Sequence, residues 1–67
     1  MTRTEAFALM GSTQQITVNG GDYSYRGWLR SVFPKLARVP LTPEQWRAVV
    51  QDDCGRLFIH RLDQLEA

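Results

Sequence analysis

One cysteine, Cys54, in a chain of 67 residues sets the first limit on what this sequence can become. No disulfide can close within the chain, and no multi-cysteine zinc or iron–sulfur site can staple it. A chain this short buries only about 60% of the surface that its unfolded state exposes. Its fold must therefore rest on hydrophobic burial, to which two Trp, two Tyr and three Phe bring the largest side chains. Small domains without covalent or metal staples often complete their core by pairing with a second copy, so a homodimer is the expectation. A lone cysteine fits a reducing cytoplasm. No apolar run approaches the roughly 20 residues that cross a bilayer, and the first residues lack the charged-then-apolar pattern of an export signal.

With 43% hydrophobic and 22% charged residues the chain belongs with globular sequences rather than disordered ones. It shows no repeat and no linker, and reads as a single small domain over 1–67. The net charge of +1 hides an uneven distribution. Residues 1–25 set Arg3 against Glu5 and Asp22. Residues 26–47 set Arg26, Arg30, Lys35, Arg38 and Arg47 against Glu44, and residues 48–67 are acidic again. The basic middle third suits an anionic partner, and it equally suits an ordinary solvated face.

Local patterns predict a mainly α fold with a C-terminal strand. Thr2 and Glu5 have capping-box spacing ahead of Ala6, Phe7, Leu9 and Met10, which predicts a helix over 3–10 closed by Gly11. Ser12 and Gln15 repeat that spacing ahead of a short helix over 13–19. Asp22 then caps the strongest periodic segment, in which Tyr25, Trp28, Leu29, Val32 and Phe33 form one helical stripe ended by Pro34. Thr42, Pro43 and Gln45, with Leu41 stapled to Trp46, predict a helix to about Asp52. Asp53-Cys54-Gly55 is a turn, and Arg56–Leu62 is a strand with Leu57 and Ile59 on one face, pairing with its own copy or with another strand of the chain. The alternative over residues 14–27 is a hairpin. It places Ile16 and Val18 on one arm, Tyr23 and Tyr25 on the other, and Asn19-Gly20-Gly21-Asp22 at the turn. That alternative makes the fold α+β.

A short helix, a glycine turn and a longer helix bearing arginines have the order of a helix-turn-helix. Thr4-Glu5-Ala6-Phe7-Ala8-Leu9-Met10-Gly11-Ser12, followed by Trp28 and Val32-Phe33-Pro34, resembles the short Cro-like repressors of phages and prophages. Ile16, Gly21 and Arg26 depart from that family's pattern around the turn. The resemblance implies a cytoplasmic, homodimeric, sequence-specific DNA-binding regulator with the helix 23–33 in the major groove. Tyr23, Ser24, Arg26, Gly27 and Arg30 would then face the bases, Arg26 foremost because arginine can bridge guanine N7 and O6. Lys35 and Arg38 would meet phosphates, and Ser12, Thr13 and Gln14 would hold another at a helix start. The second reading is a non-enzymatic module, such as a small phage-type inhibitor or adaptor, that binds a host protein.

The residues for catalysis are scattered. His60 is the only histidine and lacks the neighbours of a zinc site or a triad. His60-Arg61-Leu62-Asp63 resembles the aspartate motif of a pseudouridine synthase family, but Gln64-Leu65-Glu66 departs from that motif's continuation. Asp52 and Asp53 fit turn formation better than acid–base work or calcium. No cofactor, metal or enzymatic activity is expected.

Overall fold

Strand β2, Ser24–Pro34, organises the molecule, because its two halves belong to different parts of one sheet. In the computed structural model, which describes residues 1–34 and 45–67, α1 spans Arg3–Leu9, β1 Ile16–Asn19, β3 Trp46–Gln51, β4 Leu57–Arg61 and β5 Leu65–Glu66. The first half of β2 pairs antiparallel with β1 and the second half with β3. The five strands are ordered β4-β3-β2-β1-β5. Among the described residues the fold is thus mostly antiparallel sheet with one short helix, which corrects the mainly α, helix-turn-helix reading.

The helical stripe of 25–33 proves to be a strand with apolar residues on both faces. Strand alternation sends Tyr25, Gly27 and Leu29 inward and Arg26, Trp28 and Arg30 outward. The register then shifts between Leu29 and Ser31, so Arg30 is the extra residue of a β-bulge. The bulge returns Val32 to the inner face opposite Ala48 and leaves Phe33 outside opposite Arg47. Two faces, offset by one residue, imitate a single stripe of period 3.6. Glycine at 27 already weighs against a helix by about 1 kcal/mol. Likewise Trp46–Gln51 is a strand, with Ala48 and Val50 buried, and the expected helix start at Leu41, Thr42 and Pro43 lies outside the described residues. The expected helix over 13–19 is also replaced, by a loop and β1. Residues 14–27 contain the hairpin weighed as the alternative, with Val18 opposite Tyr25 and Ile16 opposite Gly27.

Turn chemistry closes the β1–β2 and β3–β4 hairpins. The Asn19 side chain accepts from the Gly21 N–H at 3.2 Å, Gly21 takes φ +89°, and the Gly20 N–H donates to the Tyr23 carbonyl. In the β3–β4 turn, Asp52 accepts from the Cys54 and Arg56 N–H groups. The α1 capping box is present: Thr2 Oγ1 accepts from the Glu5 N–H, and Glu5 accepts from the Thr2 N–H. Glu5 titrates below the ordinary carboxyl range because of those bonds, the backbone one foremost.

The sheet folds over its own inner face. Ala6, Ile16, Val18, Leu29, Ala48, Val50, Leu62 and Leu65 form one buried cluster drawn from α1, all three central strands, the 3-10 turn Leu62–Gln64 and β5. Tyr25 on β2 meets Phe58 and His60 on β4 at ring separations of 5.7 and 5.6 Å, although β2 and β4 in a flat sheet would stand about 9.5 Å apart. Gly27 makes that curl possible. A Cβ there would lie 2.5 Å from the Gln51 carbonyl oxygen and 2.9 Å from Val50 Cγ1. α1 closes the same inner face through Ala6, and its Phe7 meets Trp46 edge-on at 5.7 Å. Among the described residues no helix is long and apolar enough to cross a membrane.

Gly27→Ala should lower the urea midpoint, by at least the about 1–3 kcal/mol of an overpacked core, because the obstructing atom is backbone. Ser31→Ala, on the exposed face of the same strand, should stay within about 0.5 kcal/mol.

Candidate functional site

Two surfaces concentrate chemistry: the mouth of the curled sheet and the outer face that ends at β4. At the mouth, alternation puts Tyr23 and Tyr25 on one side and Phe58 and His60 on the other. The Tyr25 hydroxyl lies 2.5 Å from His60 Nε2 and the Tyr23 hydroxyl 3.4 Å from Nδ1. A neutral imidazole has one donor and one acceptor nitrogen, so one hydroxyl donates to the ring and the other accepts from it. The tyrosine rings stack at 6.3 Å. Gly20 makes room for Tyr23, whose ring would lie 2.2 Å from any Cβ at that position.

Burial holds His60 below the ordinary imidazole value, and a hydrogen bond to Gln64 opposes the shift only in part. Tyr25 is raised, first by burial and then by the charges of Tyr23 and Asp52. Beside them, Asp52 is nearly enclosed. Its burial alone would raise the carboxyl, but the Arg56 N–H, the Arg56 guanidinium at 3.0 Å and the Cys54 N–H together hold it below the usual range. A shallow depression of about 460 Å³ opens here between Tyr25, Arg26, Asp52, Arg56 and Phe58. Asp52, Asp53 and Cys54 also bring their ligand atoms within 4.8 Å of one another. Both oxygens of Asp52, however, are taken up by the turn and by Arg56.

The outer face is of different character. Strands Ser24–Pro34, Trp46–Gln51 and Leu57–Arg61 contain no carboxylate, and Arg26, Arg30, Arg47 and Arg61 all lie on outward positions. Between them sit Val49, Ile59 and Leu57, the last two 64% and 61% exposed. Arg30 stands over the Trp28 ring at 5.9 Å and donates to Gln51 Oε1 at 2.8 Å. Trp28 in turn donates its indole N–H to the Thr13 carbonyl.

The residues assigned to DNA scatter over this architecture. Tyr23 precedes β2 at the mouth; Ser24, Arg26 and Arg30 are exposed on a strand, not a helix; and Gly27 is buried against β3, where it can touch no base. Ser12, Thr13 and Gln14 form the loop between α1 and β1, with Ser12 Oγ accepting from the Gln14 N–H, so no helix start presents them to a phosphate. Lys35 and Arg38 lie outside the described residues. The structure instead groups Tyr25, Asp52, Arg56, Phe58 and His60, which the sequence left apart. Leu57 and Ile59 were legible as one strand face, but their exposure was not. Comparison of the chain with family models, with curated proteins and with solved structures finds no match.

Two of the shifted groups, His60 and Asp52, make stability rise with pH from acid to neutral. A histidine whose folded pKa is depressed favours the fold while neutral, and that contribution declines as pH falls below the unfolded value of about 6.5. An aspartate depressed in the fold contributes fully above its unfolded value of about 3.9 and loses it as pH falls further. The urea midpoint should therefore fall in two stages on acidification. His60→Phe should flatten the upper stage and Asp52→Asn the lower, read as slope against pH.

Proposed function

We propose that the chain is a small non-enzymatic domain that binds a protein chain along β4. The observation that carries this reading is the exposure of Leu57 and Ile59 on an edge strand of the sheet. Natural proteins ordinarily protect such edges with charge, proline or cover, because unpaired backbone beside apolar side chains is a template for another strand. An edge left apolar suits strand addition, in which backbone bonds supply affinity and alternate side chains supply specificity.

The surroundings support the same reading. Arginine and aromatic residues are enriched at protein interfaces, and Arg30, Trp28 and Phe33 border the apolar centre. At the mouth, His60 is engaged by two tyrosines and Asp52 by Arg56, an arrangement that braces the fold rather than leaving a base free to take a proton. Nucleic acid is the rival partner, since Arg26 and Arg30 are exposed on the outer face and would also attract phosphates, whereas Arg61 is already paired by Asp63 at 3.1 Å. Residues 24–34 form a strand rather than a major-groove helix, so that rival would need the sheet face itself.

Affinity capture with the intact chain should recover a nuclease-resistant protein complex. Ile59→Lys should weaken it by roughly thirtyfold, the about 2 kcal/mol of an interface hot spot, while Arg26→Ala with Arg30→Ala leaves it largely intact. Salt-sensitive binding to duplex or single-stranded DNA that is lost in the arginine variant, and kept by Ile59→Lys, would overturn the proposal.

A further inference from the structure

We infer that the strand received by β4 is the β4 of a second copy, docked antiparallel about a two-fold axis at Phe58. This rests on the reading of β4 as a docking strand and names its occupant.

The backbone defines which groups are free. The Asp52 N–H donates to the Arg56 carbonyl across the turn, and the register runs on through Gln51 opposite Leu57 and Val50 opposite Phe58. Hydrogen-bonded pairs alternate along an antiparallel ladder. Phe58 and His60 therefore turn their backbone groups toward β3, and Leu57, Ile59 and Arg61 turn theirs to the open edge. Of those three, the Arg61 N–H is already donated to Gln64 Oε1 at 3.1 Å. Among the described residues, this edge presents the complete backbone pairs of Leu57 and Ile59.

Only one two-fold register uses both. With the axis at Phe58, each Leu57 exchanges N–H and C=O bonds with Ile59 of the second copy. Shifting the axis to Ile59 sets Leu57 against Arg61, whose N–H is occupied. A shift by half that step sets open-edge groups against residues turned toward β3. The chosen register also matches side chains. Leu57 and Ile59 of the two copies join into one apolar stripe on the outer face, continuous with Val49. On the inner face Phe58 lies opposite Phe58 at a site without backbone bonds, where facing side chains come closest. Arg61 falls opposite Gly55, which has no side chain to obstruct it, beside the other copy's exposed Asp53. Asp63 already pairs Arg61 within each chain at 3.1 Å, so the contact brings no uncompensated cation to the interface, and no arginine opposes an arginine. Such a contact is isologous and closes at two copies.

Sedimentation velocity on the intact chain, from low micromolar upward, should show a concentration-dependent species of twice the 7.7 kDa chain mass. The amides of Leu57 and Ile59 should gain hydrogen-exchange protection in step. Ile59→Lys, on the outer face and away from the core, should be monomeric with an unchanged far-ultraviolet circular dichroism spectrum. In a Cys54→Ser background, Phe58→Cys should cross-link rapidly on oxidation and Arg61→Cys should not. A chain that stays monomeric at every concentration overturns the inference, as does a species larger than a dimer, which would mean β4 pairing head-to-tail with the β5 edge of the next copy. If the chain is monomeric but another protein protects the Leu57 and Ile59 amides, the two-fold pairing falls and the docking strand stands. If nothing protects them, both fall.

Discussion

The close passage of β2 over β3 at Gly27 is the contact on which the rest of this structure depends. The Gln51 carbonyl occupies the place where any side chain at 27 would begin, so β2 can bend there only with hydrogen in that position. The bend joins two short pairings, β1 with the first half of β2 and β3 with the second, into one curled sheet. Without the curl, the apolar faces of Ile16 and Val18 and of Ala48 and Val50 would look in the same direction and leave much of their surface wet. With it, they face each other, and Leu29, Leu62 and Leu65 fill the space between. A chain of this size has no second core to fall back on.

The same curl creates the mouth. Tyr25 reaches His60 because the first half of β2 is carried over β4, and the turn that starts β4 brings Asp52 and Arg56 alongside. Buried polar groups at this rim are satisfied by one another: hydroxyl with imidazole, carboxylate with guanidinium and backbone N–H. No buried side-chain nitrogen or oxygen is left without a partner among the described residues. The mouth is therefore a braced polar rim. On the outer face, by contrast, the apolar side chains of Leu57 and Ile59 stay exposed along the edge strand β4.

The helix prediction over 23–33 failed for an identifiable reason. Tyr25, Leu29 and Val32 belong to the inner face of β2, whereas Trp28 and Phe33 belong to the outer one, and the bulge at Arg30 offsets the two by the amount that imitates a helical turn. A strand that is apolar on both faces carries no clean alternation, so periodicity alone misassigns it. The signal that favoured a strand was local: the Asn19–Asp22 turn, glycine at 27 and the paired valines at 49 and 50. His60 was isolated in the sequence because its partners are tyrosines 35 and 37 residues away, and hydroxyl partners leave no motif.

The sequence by itself determined the features that depend on neighbours along the chain. The capping box of α1, the Asn-Gly-Gly turn, the Asp52–Gly55 turn and the strand character of β4 each follow from residues within about four positions of one another. Tertiary structure decided which strands pair, which face of β2 is buried, that Gly27 is a packing glycine rather than a surface one, and that Leu57 and Ile59 remain outside. Those outcomes turn on contacts between residues far apart in the chain. There the energy lies in shared burial, which no local pattern of residues specifies.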